Sequence, residues 1–291
     1  MPLVTTRYLV HEAARQGTGI GALNVLHLET AEALVRAAER AGQPVILQIS
    51  QNCVSFHGGH LEPLTHAAAA LAESATVGVS LHLDHAEDEA LALAAVDLGY
   101  SSVMYDGATL PWDENIAATR RVVAHARTRD VFVEAELGEI GGKDGAHAPG
   151  VRTDPQEAKD FVASTGVDAL AVAVGSSHAM TTRSAVLDLE LIARLRDAVP
   201  VPLVLHGSSG VDDATMQAAI RAGIVKVNVS THLNSAFTAA VREYLGANPA
   251  VVDSRKYMGP GREAMITEAA RLLRLFALDL DDADAAAART A

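Results

Sequence analysis

Three histidines lie at the ends of short apolar segments, in a pattern that suits a metal site. His85 ends the segment VGVSLHLDH, His178 follows ALAVAVG, and His206 lies in VPLVLHG. Three imidazoles from different strand ends that converge on an open cavity form a zinc-type catalytic site, with one position left for water or a substrate oxygen. Each histidine alone is more typical of a structural residue, so the prediction depends on the three together. The other nine of the twelve histidines are interpreted as surface or packing residues.

Carboxylates accompany these histidines. Asp84 precedes His85, and in a regular strand the two side chains would diverge, so that one binds metal while the other faces substrate. A carboxylate held free of the metal suits proton transfer to or from a substrate hydroxyl. Asp106 and Glu136 end neighbouring segments. They are candidates for a second metal position, for partners that orient the histidines, or for acceptors of backbone hydrogen bonds.

Small and hydroxyl residues follow two further segments, as GSSG at 207–210 and NVST at 228–231. Such residues let backbone N–H groups approach an anion, and barrel enzymes commonly bind phosphate at this position. Other polar residues end the first two segments. The candidate substrate-binding residues of these regions are Asn24, Ser50, Gly207, Ser208, Ser209, Asn228, Val229, Ser230 and Thr231.

The polar residues end eight short apolar segments that alternate with helical patterns, which predicts βα units and a parallel sheet. The predicted strands are 19–25, 45–50, 77–85, 102–107, 131–138, 169–175, 201–207 and 224–230. Polar side chains at the C-terminal end of each strand mark the catalytic face of a (β/α)8 barrel. Since no linker interrupts the alternation, we expect residues 1–291 to form a single α/β domain, a TIM barrel.

Helical periodicity covers 29–41, 88–98 and 214–222, and the pairs Asp154-Pro155 and Asp212-Asp213 are typical helix starts. The segment 138–154 contains five glycines, and a loop this long after strand 5 is interpreted as a lid. The Ala- and Asp-rich tail after Leu275 is interpreted as the frayed end of an extra C-terminal helix.

Composition narrows the function class. The 291 residues carry a formal net charge of −13, and so acidic a surface repels phosphodiester backbones and anionic lipid. We therefore expect no nucleic acid and no membrane as partners. The single cysteine, Cys53, forms no internal disulfide, and no basic-then-apolar signal pattern opens the chain. These features predict a cytoplasmic protein.

At this point several motifs closely resemble those of the class II, metal-dependent ketose-bisphosphate aldolases, which include fructose- and tagatose-bisphosphate aldolases. They are HLDH (82–85), VEAELGEIGG (133–142), TDPQEAKDFVASTGVDALAVAVGSSH (153–178), VPLVLHGSSGV (201–211) and KVNVST (226–231). The resemblance runs from Asn24 to about Met265. It implies a lyase of carbohydrate metabolism, such as glycolysis, that cleaves a phosphorylated ketose to dihydroxyacetone phosphate and an aldehyde through a metal-stabilised enediolate.

The resemblance also implies roles for individual residues. His85, His178 and His206 would bind Zn²⁺, and Asp84 would be the acid/base acting on the hydroxyl next to the cleaved C–C bond. Dihydroxyacetone phosphate would lie on 207–209 and 228–231, often with a monovalent cation such as Na⁺ or K⁺ nearby. The family further implies a homodimer or homotetramer.

Three positions depart from the family pattern, and a fourth, which matches it, faces the distal end of the substrate. Asp144 stands where the family usually carries the lid glutamate that moves the enediolate proton, and Ala179 replaces a glycine after the second zinc histidine. Asn234 replaces a basic residue that helps hold the distal phosphate, whereas Arg255 matches an arginine that faces the distal end of the substrate. The distal part of the substrate is therefore expected to differ from that of the family's usual substrate.

Other functions remain open at this stage. A related aldolase would act on a deoxy-keto-gluconate phosphate or a singly phosphorylated ketose, and a metal-dependent isomerase would use the same enediolate without C–C cleavage. A Schiff-base aldolase needs a lysine at a strand end, but Lys226 lies below Asn228, where an ion pair is the better interpretation. A non-catalytic sugar-phosphate sensor is the last alternative.

Overall fold

The computed structural model describes residues 3–137, 152–177, 180 and 182–279, and within them eight parallel strands close into a barrel. Each strand pairs with the next in the chain, and the last pairs with the first. This confirms the predicted (β/α)8 fold. The strands are β1 (Ile20–Asn24), β2 (Val45–Ser50), β3 (Val79–Ala86), β4 (Ser102–Tyr105), β5 (Phe132–Leu137), β6 (Ala169–Val172), β7 (Leu203–Leu205) and β8 (Ile224–Val229).

Helices cover the outside of the barrel, and their apolar faces pack on the outward side chains of the strands. They are α1 (Thr6–Gln16), α2 (Leu28–Ala41), α3 (Gln51–Phe56), α4 (Glu62–Ser74), α5 (Glu89–Leu98), α6 (Trp112–Arg127), α7 (Pro155–Thr165), α8 (Leu189–Ala198), α9 (Asp213–Ala222), α10 (Thr231–Ala247) and α11 (Ser254–Phe276). The extra C-terminal helix, α11, packs against α2 and α10. Asp154 and Asp212 cap α7 and α9 as predicted, each through its carboxylate.

The bottom of the barrel is closed by α1, a helix that the sequence analysis does not predict. Its Leu9 and Val10 belong to one apolar cluster with Ile20, Ile46 and Phe132 from the barrel interior. Apolar side chains and a buried hydrogen-bonded group of Thr6, Ser80, His82 and Ser102 fill this end, which leaves the opposite, C-terminal end for a ligand site. That end is where a TIM barrel carries its active site.

Three strands end two or three residues earlier than predicted, and the first of them, predicted at 102–107, stops at Tyr105. The predicted segments 169–175 and 201–207 become strands that stop at Val172 and Leu205. Gly175 and Gly207 have φ values of +119° and +64°, a conformation that takes the chain out of an extended strand and that glycine adopts readily. The apolar pattern continues past the strand, so periodicity alone overestimates its length.

Several predicted features lie outside the described residues. These are residues 138–151 of the predicted lid, with Asp144, the pair His178 and Ala179, and residues 280–291 of the tail. Within the part of the chain that the structure describes, no helix is both long and apolar enough to cross a bilayer.

Candidate active site and metal centre

Side chains from six strand ends meet at the C-terminal end of the barrel. Their polar atoms form one hydrogen-bonded cluster, which we call the strand-end cluster. Its members among the predicted residues are Asn24, Asp84, His85, Asp106, Glu136, His206 and Asn228. Apart from Asn24 and His85, which are partly exposed, all of them are buried. The barrel therefore brings together the predicted catalytic and metal-ligating residues that lie within the described part of the chain.

The expected divergence of Asp84 and His85 is wrong, because β3 is irregular at this point. The pairing of β3 with β4 shifts register between Leu83 and Ala86, and His85 has a φ of +48°, in the left-handed region that a residue with a Cβ rarely adopts. A ligand atom from each of Asp84, His85 and His206 lies within 4.8 Å of the others. The bulge thus turns two consecutive side chains toward one point.

His85 and His206 face each other with one ring nitrogen each. The distance from His85 Nε2 to His206 Nδ1 is 2.8 Å. The second nitrogen of each ring contacts a carboxylate: His85 Nδ1 is 2.9 Å from Asp106 Oδ2, and His206 Nε2 is 2.8 Å from Glu134 Oε1. An ionised carboxylate only accepts hydrogen bonds, so both of these nitrogens donate.

This arrangement tests whether the residues fit a metal ion. A neutral imidazole carries one N–H, so two rings that each donate to a carboxylate present lone pairs to each other across 2.8 Å. A cation bound by both nitrogens removes that repulsion, as does a proton on one of them, and carboxylates on the far nitrogens are the usual partners of metal-binding histidines. The chemistry of the donor set therefore fits a zinc-type divalent ion on His85 and His206.

Asp106 and Glu136 lie on the other side of His85. Glu136 Oε2 is 3.9 Å from His85 Nδ1, and ligand atoms of the three residues lie within 4.8 Å of one another. Of the uses predicted for Asp106, orienting His85 is the one its 2.9 Å contact favours. The sequence analysis missed Glu134, although it lies two residues before Glu136 and strand alternation puts both on the same face.

Asp84 is held by amide groups from three strands. Asn24 Nδ2 donates to Asp84 Oδ2 and Asn228 Nδ2 donates to Asp84 Oδ1, both at 3.1 Å. Gln48 Nε2 donates to Asn24 Oδ1 at 2.7 Å and approaches Asp84 Oδ2 at 3.4 Å. Because each carboxylate oxygen has a donor, the orientation of Asp84 is fixed before any substrate binds.

The surroundings of Asp84 also favour its ionised form. Burial alone would raise the pKa of this carboxyl. Positive charge held at the His85–His206 pair, the Lys226 ammonium and the hydrogen bond from Asn24 instead hold the pKa below its ordinary value. Asp84 is therefore a buried carboxylate held in the ionised form, which is the form that can accept a proton.

The loops after β7 and β8 lie side by side. Ser208 begins a short 3₁₀ turn and donates its hydroxyl to the carbonyl oxygen of Asn228. Ser230 precedes α10, which begins at Thr231 and runs for 17 residues. A helix N-terminus presents unpaired N–H groups and a partial positive charge to an anion. These loops thus support the predicted phosphate position.

An ion network connects the loops after β7 and β8 to α11. The His232 N–H donates to Ser209 Oγ at 3.1 Å, and the His232 ring lies 2.6 Å from Glu268 Oε1. Burial alone would raise the pKa of Glu268, but hydrogen bonds from His232 and Arg271 lower it to about 2. This network joins the start of α10 to α11 and so stabilises the loops after β7 and β8.

Gly207 is required by a close backbone approach, and Gly207→Ala is expected to weaken substrate binding. A Cβ at Gly207 would lie 2.6 Å from the carbonyl carbon of Ser177, whereas a Cβ at Gly17 would have no atom within 4 Å. Both glycines have nearly the same φ, +64° and +68°. We expect KM for the substrate to rise about tenfold, which corresponds to about 1.4 kcal/mol, because the loop must shift.

Gly17→Ala is the matched control, since it adds only the left-handed strain of about 1 kcal/mol. Steady-state kinetics and thermal unfolding of both variants measure the difference. Equal KM values for the two variants would mean that the loop relieves the contact without moving its N–H groups.

Two predicted substrate residues lie in other contacts. Ser50 caps α3, with its Oγ accepting the Cys53 N–H at 3.2 Å. Arg255, in the first turn of α11, pairs with Asp253 at 2.9 Å, and its side chain is 89% exposed. His178, Ala179 and Asp144 lie outside the described residues.

Comparisons with known proteins agree with this geometry. Residues 4–279 match the family model of class II fructose-bisphosphate aldolases. The chain is 40% identical over 269 residues to a fructose-bisphosphate aldolase of Geobacillus stearothermophilus, covering 91% of this chain and 93% of that one.

Two solved structures extend the similarity. The YdjI aldolase of Escherichia coli has a TM-score of 0.81 at 34% identity, over 95% of this chain and 98% of that one. A candidate fructose-1,6-bisphosphate aldolase of Coccidioides immitis has a TM-score of 0.83 at 31% identity, over 93% and 95% of the two chains. The similarity therefore covers nearly the whole chain in both sequence and fold.

Proposed function

Because this chain belongs to the class II fructose-bisphosphate aldolase family and is therefore an aldolase, a lyase, we propose that it cleaves a ketose bisphosphate to dihydroxyacetone phosphate and an aldehyde with the help of Zn²⁺. The observation that carries the proposal is the pair of facing nitrogens on His85 and His206, 2.8 Å apart, beside the buried carboxylate of Asp84. We assign the third ligand to His178, the orientation of His85 or a second metal position to Asp106 and Glu136, and a monovalent cation such as Na⁺ or K⁺ to the neighbourhood of the phosphate at 207–209 and 228–231.

In the proposed reaction Asp84 accepts the proton of the hydroxyl next to the scissile C–C bond. The C–C bond then breaks, its electron pair stays on the three-carbon phosphorylated fragment as an enediolate, and the other fragment leaves as the aldehyde. A bound zinc ion would supply the Lewis acid that polarises the ketone and stabilises the negative charge. Asp144 is our candidate for the lid carboxylic acid that returns a proton to the enediolate carbon.

The described residues also supply positioning. Asn24 and Asn228 hold the two oxygens of Asp84 at 3.1 Å each, so the carboxylate does not have to reorient during proton transfer. We propose that the substrate phosphate binds the N–H and hydroxyl groups of 207–209 and 228–231. Ser50, Ala179 and Arg255 are proposed to contact other parts of the substrate.

We further propose that the enzyme is cytoplasmic and works in glycolysis or a related sugar pathway as a homodimer or homotetramer. The buried thiol of Cys53 and the net charge of −13 agree with a reducing compartment and with partners other than nucleic acid or membranes. The expected assembly follows from the family alone.

The test is an aldol-cleavage assay over several ketoses, with and without a chelator, that detects triose phosphate. The substrates are fructose 1,6-bisphosphate, tagatose 1,6-bisphosphate, a deoxy-keto-gluconate phosphate and a singly phosphorylated ketose. We expect chelator-sensitive cleavage of at least one bisphosphate. Cleavage of none would overturn the proposal. Isomerisation without triose phosphate would favour an isomerase, and binding without turnover would favour a sensor.

A further inference from the structure

Among the residues that the structure describes, Lys226 is the one lysine with a fully buried side chain. It lies in β8, two residues before Asn228, and its side chain is 0% exposed. A buried ammonium is costly unless it is paired and hydrogen-bonded. The sequence predicts an ion pair here, and the structure confirms it: Lys226 Nζ lies 2.8 Å from Glu134 Oε2, and Glu134 is equally buried.

The second contact of Lys226 reaches the proton-transfer side of the site. Its Nζ donates to Asn228 Oδ1 at 2.8 Å, and the Asn228 amide nitrogen donates to Asp84 Oδ1 at 3.1 Å. If this amide turned over, its NH₂ would face an ammonium and its oxygen would face a carboxylate, and both contacts would be repulsive. Lys226 therefore fixes which end of Asn228 reaches Asp84.

The ion pair reaches the metal side of the site. Glu134 uses Oε2 for Lys226 and Oε1 for His206 Nε2, at 2.8 Å each. With the carboxylate fixed at both oxygens, His206 carries its proton on Nε2 and directs Nδ1 at His85. A third neighbour, His82, keeps Nε2 at 3.9 Å from Glu134 Oε2.

We propose that the ion pair of Lys226 and Glu134 positions both halves of the site: Glu134 fixes the metal-binding nitrogen of His206, and Lys226, through Asn228, fixes Asp84. The inference rests on the proposed function for its catalytic half alone. The metal half stands on the geometry of Glu134 and His206. An ammonium that served only to balance the buried charge of Glu134 would not need the contact with Asn228 Oδ1.

The decisive variant is the double substitution Lys226→Met with Glu134→Gln. Removing one charge alone leaves the other buried and unpaired, which is strongly destabilising, whereas replacing both is often neutral for folding. Lys159→Met, on the exposed face of α7, is the matched control. Thermal unfolding, Zn²⁺ affinity of the metal-free protein by competition with a chromogenic chelator, and kcat and KM are measured on every variant.

We expect the double variant to fold, to bind Zn²⁺ about tenfold to 100-fold more weakly, and to lose about 100-fold in kcat with a smaller change in KM. Lys159→Met should match the parent protein in all measurements. If the double variant keeps the parental Zn²⁺ affinity and kcat, or if it fails to fold, the pair is structural and the inference is overturned.

The two proposals fail in different ways. A parent protein that cleaves no ketose phosphate would overturn the proposed function, but weaker Zn²⁺ binding by the double variant would still support the metal half of the inference. A fully active parent with an equally active double variant would overturn the inference and leave the proposed function intact.

Discussion

Asp84→Asn is expected to lower kcat for aldol cleavage about 10³-fold, because the amide has no basic oxygen to accept the substrate proton. The substitution keeps the size and the planar shape of the side chain. Its surroundings are donors, Asn24 and Asn228, at 3.1 Å each, so one of these hydrogen bonds is lost and a small loss of stability is expected as well. Steady-state kinetics with metal analysis checks the prediction.

The control for this variant is Asp130→Asn. Asp130 is 87% exposed and has a φ of +55°, a conformation that asparagine tolerates. We expect parental kcat there. The metal content of Asp84→Asn separates two roles, since Asp84 also offers an oxygen within 4.8 Å of the His85 and His206 ligand atoms. Loss of bound zinc in Asp84→Asn would make Asp84 a metal ligand and would contradict its role as a free proton acceptor.

Removal of the metal is expected to lower kcat by at least about 10³-fold, because Lewis-acid stabilisation of the developing charge is worth several kcal/mol. Addition of one equivalent of Zn²⁺ to the chelator-treated protein should restore activity. In His206→Ala the same addition should fail, since the variant lacks one of the two nitrogens that face each other 2.8 Å apart. Enzyme assays with parallel metal analysis measure both effects.

His66→Ala provides the matched control, since His66 is an exposed histidine of α4 and its loss should leave zinc-dependent recovery unchanged. Full activity without bound metal would contradict the prediction. A covalent adduct trapped by borohydride in the presence of substrate would then point to a Schiff-base aldolase that uses a lysine.

The order of strands and helices is available from the sequence because it depends on local patterns. The run VILQIS predicts strand 45–50, and the structure has β2 at Val45–Ser50. Asp154 and Asp212 predict helix starts because a carboxylate caps the free N–H groups of the first turn. The ends of β6 and β7 are harder to predict from the sequence, since they depend on the backbone angles of Gly175 and Gly207.

Parts of the candidate site can also be predicted from residue types and spacing. His85, His206 and Asp84 stand out because polar side chains interrupt apolar strands at their C-terminal ends. Glu134 does not stand out, because no role can be inferred for a charged residue in the middle of a strand until its partner is known. That partner, Lys226, lies 92 positions further along the chain, and only barrel closure brings the two within 2.8 Å.

The sequence by itself therefore determined the barrel, the strand-end position of the reactive residues and the family to which they point. Tertiary structure alone decided how those residues meet. The bulge at His85 directs two consecutive side chains to one point, and His206, 121 residues away in sequence, directs a specific ring nitrogen at it. The physical reason is the distance in sequence over which each property is set. Periodicity within one strand shows which face of that strand is buried. The tautomer of a histidine, the orientation of an amide and the pairing of charges depend instead on contacts between strands that are distant in sequence.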